Sequence, residues 1–503
     1  MILSPWHDSG MMRIGRKWVK MMGFWIGIDI GTSGVKSILI NKAQSVIAES
    51  TAPLEVSRPH PGWSEQNPED WADAVMATMD ALAASHPTEM AAVEGIGLSG
   101  QMHGATLLDA ADRVLRPAIL WNDGRSGAEC AVLDQRADFR GIGGNLVMPG
   151  FTAPKLEWVR RHEPEIFAKV ARVLLPKDYV RLKLSGEYLS DMSDSAGTLW
   201  MDVGARMWSP ALLAATGLDV DAMPDLIEGA APGGQLRADL VQRWGMTAAP
   251  VIAGGGGDNA ASAAGVGAIS PGNGFLSLGT SGVLFVSGAS YSPNTDHAVH
   301  AFCHAVPETW HQMGVILSAT DALNWLSGIT GKPPAELSDV AAAAPVDHGV
   351  IVHPYFSGER TPHNDPGARG GIFGLAHTSD TGVLARAMME GVGFAFADCA
   401  ASLQAAGNQI GPVYALGGGA RSPFWLQMIA DITGLTLLIP EKGDFGAAFG
   451  AARLAMVASG AGDVSTVLTP APVAATVTPS QAETERYQQQ LARYRSLYPA
   501  VRD

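Results

Sequence analysis

Cysteine is almost absent from this chain. Three stand in 503 residues, Cys130, Cys303 and Cys399, too far apart for a disulfide framework or for paired metal-ligand spacing. That scarcity suits a reducing compartment and predicts a cytoplasmic protein. Positive charge is also short. Basic residues number 34 against 49 acidic ones, a formal net charge of −15, and no basic cluster runs along one face. Nucleic acid is therefore excluded as a partner, and the acidity is assigned to solubility. No apolar run reaches the length of a membrane span, which excludes a membrane partner. The leader, residues 1–23, carries Arg13, Arg16, Lys17 and Lys20 with no apolar stretch after them, so it is no secretory signal. It is expected to be disordered or to precede the true start, with the fold beginning at Phe24. Two nucleotide-binding signatures are missing as well. No G-x-x-x-x-G-K-[ST] string occurs, and Gly27, Gly31 and Gly34 do not fit G-x-G-x-x-G, because a strand rather than a helix follows them.

What is present describes a well-folded globular protein: 47% hydrophobic and 17% charged residues. The length predicts two or more domains. The most informative stretch is Trp25–Ile40. Two apolar runs rich in β-branched residues flank Gly31-Thr32-Ser33-Gly34, a hairpin signal. Asp29 stands just before the turn. Small residues let backbone N–H groups and hydroxyls approach phosphate oxygens, and a carboxylate beside them can hold a magnesium ion. An ordinary tight hairpin with a solvated aspartate is the alternative. The design recurs half a chain later. Phe275–Leu278, Gly279-Thr280-Ser281-Gly282 and Val283–Val286 repeat the tetrapeptide and its flanks. Two related domains facing each other, each with a phosphate turn, are the expectation. Only the first copy carries the carboxylate, since Ser277 replaces Asp29 in the second.

Three further turns hold candidate chemistry. A buried strand, Gly95–Leu98, runs into Ser99-Gly100-Gln101-Met102-His103-Gly104, and strand ends of open α/β folds are where ligands sit. His103 can hydrogen-bond a small polyol and Met102 can shape an apolar wall, or His103 is a packed, locally satisfied residue. Gly254–Gly257 precede Asp258-Asn259 and a small-residue helix. Asp258 reads either as an N-cap or as a general base that four glycines let a substrate approach, with Asn259 on a neighbouring hydroxyl. Val413–Leu416 predicts a strand entering Gly417-Gly418-Gly419, after which Ser422 caps a helix with Pro423 at its first position, ending at Gly434. That glycine turn either admits an adenosine or is a tight strand-to-helix connection. Asp191–Thr198 reads as a Ser/Asp/Gly-rich loop bordering a site, and Gly443–Ala452 starts a helix whose small residues suit helix-on-helix contact.

Assembled, these marks resemble the FGGY carbohydrate kinases of the actin-like ATPase superfamily, from Phe24 onward. The resemblance rests on Asp29–Lys36, Gly100–Gly104, Trp121-Asn122-Asp123-Gly124-Arg125, Phe151–Leu156, Asp258-Asn259-Ala260, Ser277–Gly282, Ser357–Asn364 and Gly417–Ser422, in this order. It implies an α/β fold of two ribonuclease-H-like domains around a cleft. Residues 24–268 would bind the sugar and carry the first phosphate turn, and residues 269–503 would carry the second turn and the adenosine pocket. It implies phosphoryl transfer from ATP, with Mg2+, to a small-molecule sugar, with D-xylulose favoured over ribulose, gluconate or glycerol. Asp258 would be the general base on the 5-hydroxyl, with Met102, His103 and Asn259 on the sugar. Asp29 would be the catalytic metal-side carboxylate that positions Mg-ATP. Thr32, Ser33, Gly279 and Thr280 would hold phosphates, and Gly417, Gly418 and Gly419 would line the adenosine pocket. An actin-like ATP switch is the competing reading, and a homodimer is the assembly left open. Two positions depart from the family pattern. Four glycines rather than three precede Asp258, which shifts the base or loosens the turn, and Val383 replaces a polar residue near a helix start.

Overall fold

The computed structural model describes residues 23–441 and 445–502. Residues 1–22 of the leader, and Gly443 and Asp444 of the predicted helix start, lie outside the described residues.

The first half opens as the sequence predicts. Strand β1 (Phe24–Ile30) turns at Gly31–Ser33 into β2 (Gly34–Asn41), which pairs with it antiparallel, and β3 (Val46–Pro53) follows. Helix α1 (Pro68–Ser85) starts at Pro68, with the Asn67 side chain accepting from the Glu69 N–H. Strand β4 (Val93–Gly100) lies parallel to β1. After an insertion carrying α2 (Thr152–His162), α3 (Pro176–Ser185) and α4 (Met192–Ala196), the sheet resumes with β5 (Pro232–Gln235), β6 (Val251–Ala253) and β7 (Gly256–Gly257), and α5 (Asp258–Val266) leaves it. The order is β5-β6-β4-β1-β2-β3, with β7 beside β4.

The second half repeats the plan. It comprises β8 (Gly274–Leu278), β9 (Gly282–Gly288), β10 (His300–Cys303) and β11 (Trp310–Ile316), the long buried helix α6 (Thr381–Ala405), β12 (Val413–Leu416), α7 (Pro423–Thr433), β13 (Leu437–Pro440), α8 (Ala447–Ala458) and β14 (Val473–Val477). Among the described residues its sheet runs β10-β11-β9-β8-β12-β13-β14. In both sheets the Gly-Thr-Ser-Gly turn closes an antiparallel hairpin whose first strand has a parallel partner, β4 in one and β12 in the other. The sequence repeat is therefore a structural repeat, and the site turns after Gly100 and Leu416 occupy equivalent strand ends.

The two-residue period of a strand divides β1 between two cores. Ile26, Ile28 and Ile30 pack with Trp71, Val75 and Met79 of α1. Trp25 faces the other way, with Ala448, Ala452 and Ala455 of α8 and Ala260 and Ala264 of α5. Gly27 and Asp29 share that second face. The approach there is backbone to backbone. A Cβ at Gly27 would stand 1.8 Å from the Ala448 carbonyl oxygen, one at Gly97 1.8 Å from that of Ala451, and one at Gly450 1.7 Å from that of Ala261. The small-residue helix predicted near 443–452 thus packs on a helix, as expected, and on the first sheet as well. Its role explains why a segment so late in the chain carries so many glycines and alanines.

Two local readings change. Asp191–Thr198 is not an open loop: Asp191 caps α4, accepting from the N–H groups of Ser193 and Asp194. Asp258 is not an N-cap, because Gly257 occupies the cap and Asp258 is the first helical residue. At the second departure from the family pattern, Asp380 caps α6 by accepting from the Val383 N–H, so the helix starts without a polar side chain at 383.

The close approach predicts that Gly450→Ala loses about 3 kcal/mol or more of stability, since overpacking against a backbone cannot relax by side-chain rotation. Gly328→Ala, where an added Cβ meets nothing within 4 Å, should be neutral or stabilising in its helix. Urea denaturation of the two variants checks the contrast.

Candidate active site

The register of the first sheet brings two carboxylates together. Asp29 pairs with Ser99 of β4, Gly256 pairs with the same Ser99, and Gly257 pairs with Gly100. Asp258 therefore begins α5 beside the end of β1, on the face Asp29 shares. Both side chains sit mostly within protein. Burial pushes Asp258 up to about 7, and the charge of Asp29 adds to the rise, while the N–H and side-chain amide of Asn259 pull it back. Burial pushes Asp29 up to about 6 against the opposing pull of the Ser99 hydroxyl and the Lys36 ammonium. Asp258 Oδ1 accepts from Asn259 N (2.7 Å) and Nδ2 (2.9 Å). Asp29 Oδ1 is buried without a hydrogen-bond partner.

The four glycines do not loosen the turn. A Cβ at Gly254 would meet the Glu228 carbonyl oxygen at 2.2 Å, and one at Gly255 the Leu98 carbonyl oxygen at 2.1 Å. Gly255 also has φ +82°, a left-handed backbone that glycine adopts without strain. Arg181 of α3 grips the same segment, its Nη2 donating to the carbonyls of Ala253 (2.7 Å) and Gly254 (2.6 Å). Met102 closes the other side, with its sulfur 3.1 Å from where a Cβ of Gly257 would lie.

His103 sits in the left-handed region at φ +68°. Its carbonyl accepts from Lys155 Nζ (2.8 Å) and Thr152 Oγ1 (3.2 Å), both on α2. Its ring meets Phe151 edge-on, with centroids 4.7 Å apart. Burial, with the nearby Lys155 charge, pushes the ring down to about 3, so it is neutral. Nδ1 lies 2.6 Å from the Gly197 carbonyl, which can only accept, so the proton is on Nδ1. Nε2 is left with a free lone pair, an acceptor for a hydroxyl proton.

The first Gly-Thr-Ser-Gly turn is tied to this group. Thr32 Oγ1 donates to Gln101 Oε1 (2.8 Å) and accepts from the Trp121 indole (3.0 Å), while Gln66 Nε2 donates to the Thr32 carbonyl (2.7 Å). Ser33 is exposed. The polar turn after Trp121 is scaffolding: Asp123 takes a two-point contact from Arg125, whose guanidinium lies 3.6 Å from the Trp63 ring centroid.

Gly279 and Thr280 form a second group with Gly417–Gly419. The Gly279 carbonyl accepts from Thr320 N and Oγ1, and the Thr280 carbonyl accepts from Ala319 N. A Cβ at Gly417 would lie 2.7 Å from the Leu278 carbonyl oxygen, so this turn needs glycine for close approach to β8. Gly418 and Gly419 line a cavity of about 590 Å³ with Thr320, Ser338, Arg421 and Ser422, within the size range of ligand sites. Ser422 caps α7 by accepting from Trp425 N, and Gly434 ends it in the left-handed conformation, as the sequence predicts.

Sequence reasoning gave no role to Lys155, Arg181, Ser193 or Gly197, although Ser193 and Gly197 lie in the 191–198 stretch expected to border a site. Lys155 lies in the Phe151–Leu156 stretch, where a lone lysine among apolar residues was a usable sign of a buried amine. The Asp191-x-Ser193 spacing was a usable capping signal.

Two sheets with repeated hairpins, carboxylates and glycine turns at their strand ends, and a cleft-sized cavity are the parts of a two-domain actin-like, ribonuclease-H-like kinase. Comparison with known proteins makes the class specific. The model of the FGGY family of carbohydrate kinases, N-terminal domain, matches residues 24–265, and that of the C-terminal domain matches residues 274–459. The chain belongs to the FGGY family of carbohydrate kinases, enzymes that take a phosphoryl group from ATP and act on small-molecule sugars. It is 52% identical to the xylulose kinase of Escherichia coli (strain K12) over 438 residues, 86% of this chain and 90% of that protein. The crystal structure of a xyloylose kinase from Brucella ovis superposes with TM-score 0.93 at 54% identity, covering 95% of this chain and 99% of that one. The xylulose kinase of Rhodospirillum rubrum gives 0.88 at 30%, covering 95% and 99%. Among the described residues no helix is long and apolar enough to cross a membrane.

Desolvation of Asp258 carries a stability cost with a defined sign. Its folded pKa lies above its ordinary 3.8, so the native state binds the proton more tightly than the unfolded chain. Stability is therefore lost as pH rises through about 7. The rise corresponds to at most about 4 kcal/mol. Asp258→Asn should accordingly melt higher than wild type at pH 8, with the gap narrowing toward acid. Paired thermal melts across that range check it.

Proposed function

We propose that this enzyme phosphorylates D-xylulose at its 5-hydroxyl, using ATP. The observation that carries the reading is the meeting of Asp258, raised to about 7, with Asp29 at one sheet end, beside Met102 and in reach of the network that holds His103. A carboxylate near neutral pKa is a matched general base. Asp258 accepts the hydroxyl proton as the oxygen attacks the terminal phosphorus. Asn259 and the His103 Nε2 lone pair orient the sugar, and Met102 walls it. The Escherichia coli and Brucella ovis enzymes support the choice of sugar, since each is more than 50% identical to this chain over most of its length.

The nucleotide lies across the second group in this reading. Gly418 and Gly419 line the 590 Å³ cavity read as the adenosine pocket, Gly417 sets the turn beside it against β8, and Thr32, Ser33, Gly279 and Thr280 hold phosphates. Asp29 fits a divalent cation, because its Oδ1 is buried and unpartnered and Mg2+ favours one or two carboxylates plus phosphate oxygens. Mg2+ bound there would neutralise phosphate charge. The functional halves are residues 24–268 and 269–503; α8 of the second half stays packed on the first sheet, and the rest of that half closes over the sugar to exclude water. A cytoplasmic location completes the reading.

The test is ADP release with Mg-ATP against a panel of ketopentoses, polyols and aldonates. D-xylulose should stimulate most strongly; strong stimulation by another sugar instead would replace the substrate and keep the mechanism. Asp258→Ala should lower kcat by roughly 10²–10⁴-fold while ATP still binds, and near-normal turnover in the folded variant removes Asp258 as the base. His103→Ala should raise the sugar KM more than the ATP KM, and equal effects count against a sugar contact.

A further inference from the structure

Asp258 and His103 lie 155 positions apart in sequence, yet one five-residue helix touches the supports of both. At the start of α4, Ser193 Oγ accepts from the Gly257 N–H at 3.1 Å, one residue before Asp258. Just after its end, the Gly197 carbonyl accepts from His103 Nδ1 at 2.6 Å. The Thr198 carbonyl then accepts from Ala153 N at 3.0 Å, returning to α2, whose Thr152 and Lys155 hold the His103 carbonyl. We propose that α4, with Asp191 before it and Gly197 after it, is a positioning element that sets the separation and aim of Asp258 and His103.

The chemistry of each contact supports this role. A serine hydroxyl has one proton. Ser193 gives its proton to Asp191 Oδ2 at 2.5 Å, so its lone pairs are what Gly257 meets. Donating to a carboxylate strengthens the hydroxyl as an acceptor. Asp191 is itself anchored: Lys177 Nζ stands 2.8 Å from its Oδ1, 2.5 Å from Asp178 and 3.4 Å from Asp194, all with fully buried side chains. Buried ion clusters of this kind contribute little net stability, and fixing a geometry is their better-attested use. The contact at Gly197 is steric as well as polar. A Cβ there would stand 2.6 Å from His103 Cε1, 2.7 Å from its Nδ1 and 2.8 Å from Met102 Cε. Gly197 has φ −74°, so alanine fits the backbone, and the nearest conflicts are with those two side chains.

The inference rests on the reading of Asp258 as base and His103 as sugar contact, and the experiment separates the two. Steady-state kinetics on Ser193→Ala, Gly197→Ala and Asp258→Asn, with thermal melts, give a split that a merely structural element would not produce. Ser193→Ala frees the Gly257 turn and should lower kcat about tenfold or more, as a base displaced by a fraction of an ångström does. Gly197→Ala displaces the His103 ring and Met102, and should raise the sugar KM about tenfold. Neither should move the ATP KM, and Asp258→Asn should be inactive. A Ser193→Ala enzyme with wild-type kcat beside an inactive Asp258→Asn overturns the positioning role and leaves the base in place. An active Asp258→Asn overturns the base and the inference with it. Equal rises in sugar and ATP KM from Gly197→Ala also overturn it. Should Ser193→Ala fail to fold, Gly197→Ala decides alone, and an unchanged sugar KM then refutes the proposal.

Discussion

The structure depends on one contact made without side chains. Helix α8 lies against β1 and β4 so closely that the Ala448 and Ala451 carbonyls occupy the space a Cβ would need at Gly27 and Gly97. Helix α5 approaches α8 just as closely, at Gly450 and Ala261. These three elements bring the end of β1 and the start of α5 to one place. Asp29 is two residues beyond Gly27 on the same strand face, and Asp258 opens the helix whose interior packs on α8. The carboxylates meet because glycine permits the backbones to meet.

That placement explains the electrostatics. Two carboxylates set in protein on most sides lack solvent, and both rise, Asp29 to about 6 and Asp258, raised further by the Asp29 charge, to about 7. Exposed at the surface, neither would differ from an ordinary carboxylate. The His103 ring moves the other way for the same reason, since desolvation favours its neutral form. The site thus holds a carboxyl near neutral pKa and an uncharged imidazole, each tuned by burial and each held through backbone atoms by residues of the inserted segment 152–198.

Local features were legible from the sequence. The hairpin around Thr32 and its copy around Thr280, the helix opening at Pro68, the cap at Ser422 and the end at Gly434 all depend on residues within a few positions of one another. So did the sorting of Met102, His103 and Asp258 into polar turns at strand ends. Where the local reading failed, a distant partner decided. An N-cap was one of the two local readings of Asp258, but pairing of Gly256 and Gly257 with β4 moved the cap to Gly257. Residues 191–198 looked like a loop, but Asp191, anchored on Lys177, winds them into a helix. A loosened four-glycine turn was one of two readings, because its tight neighbours, the carbonyls of Glu228 and Leu98, come from elsewhere in the chain.

The sequence by itself determined the periodic strands, the glycine turns, the repeated Gly-Thr-Ser-Gly hairpin and the family these marks define, because each is written in short-range spacing and steric preference. Only the tertiary structure decided that Lys155 and Thr152 grip His103, that Arg181 and Ser193 hold the Asp258 turn, and that α8 presses on β1. Those contacts join residues from tens to hundreds of positions apart. They follow from strand register and backbone approach, which no local run of residues encodes.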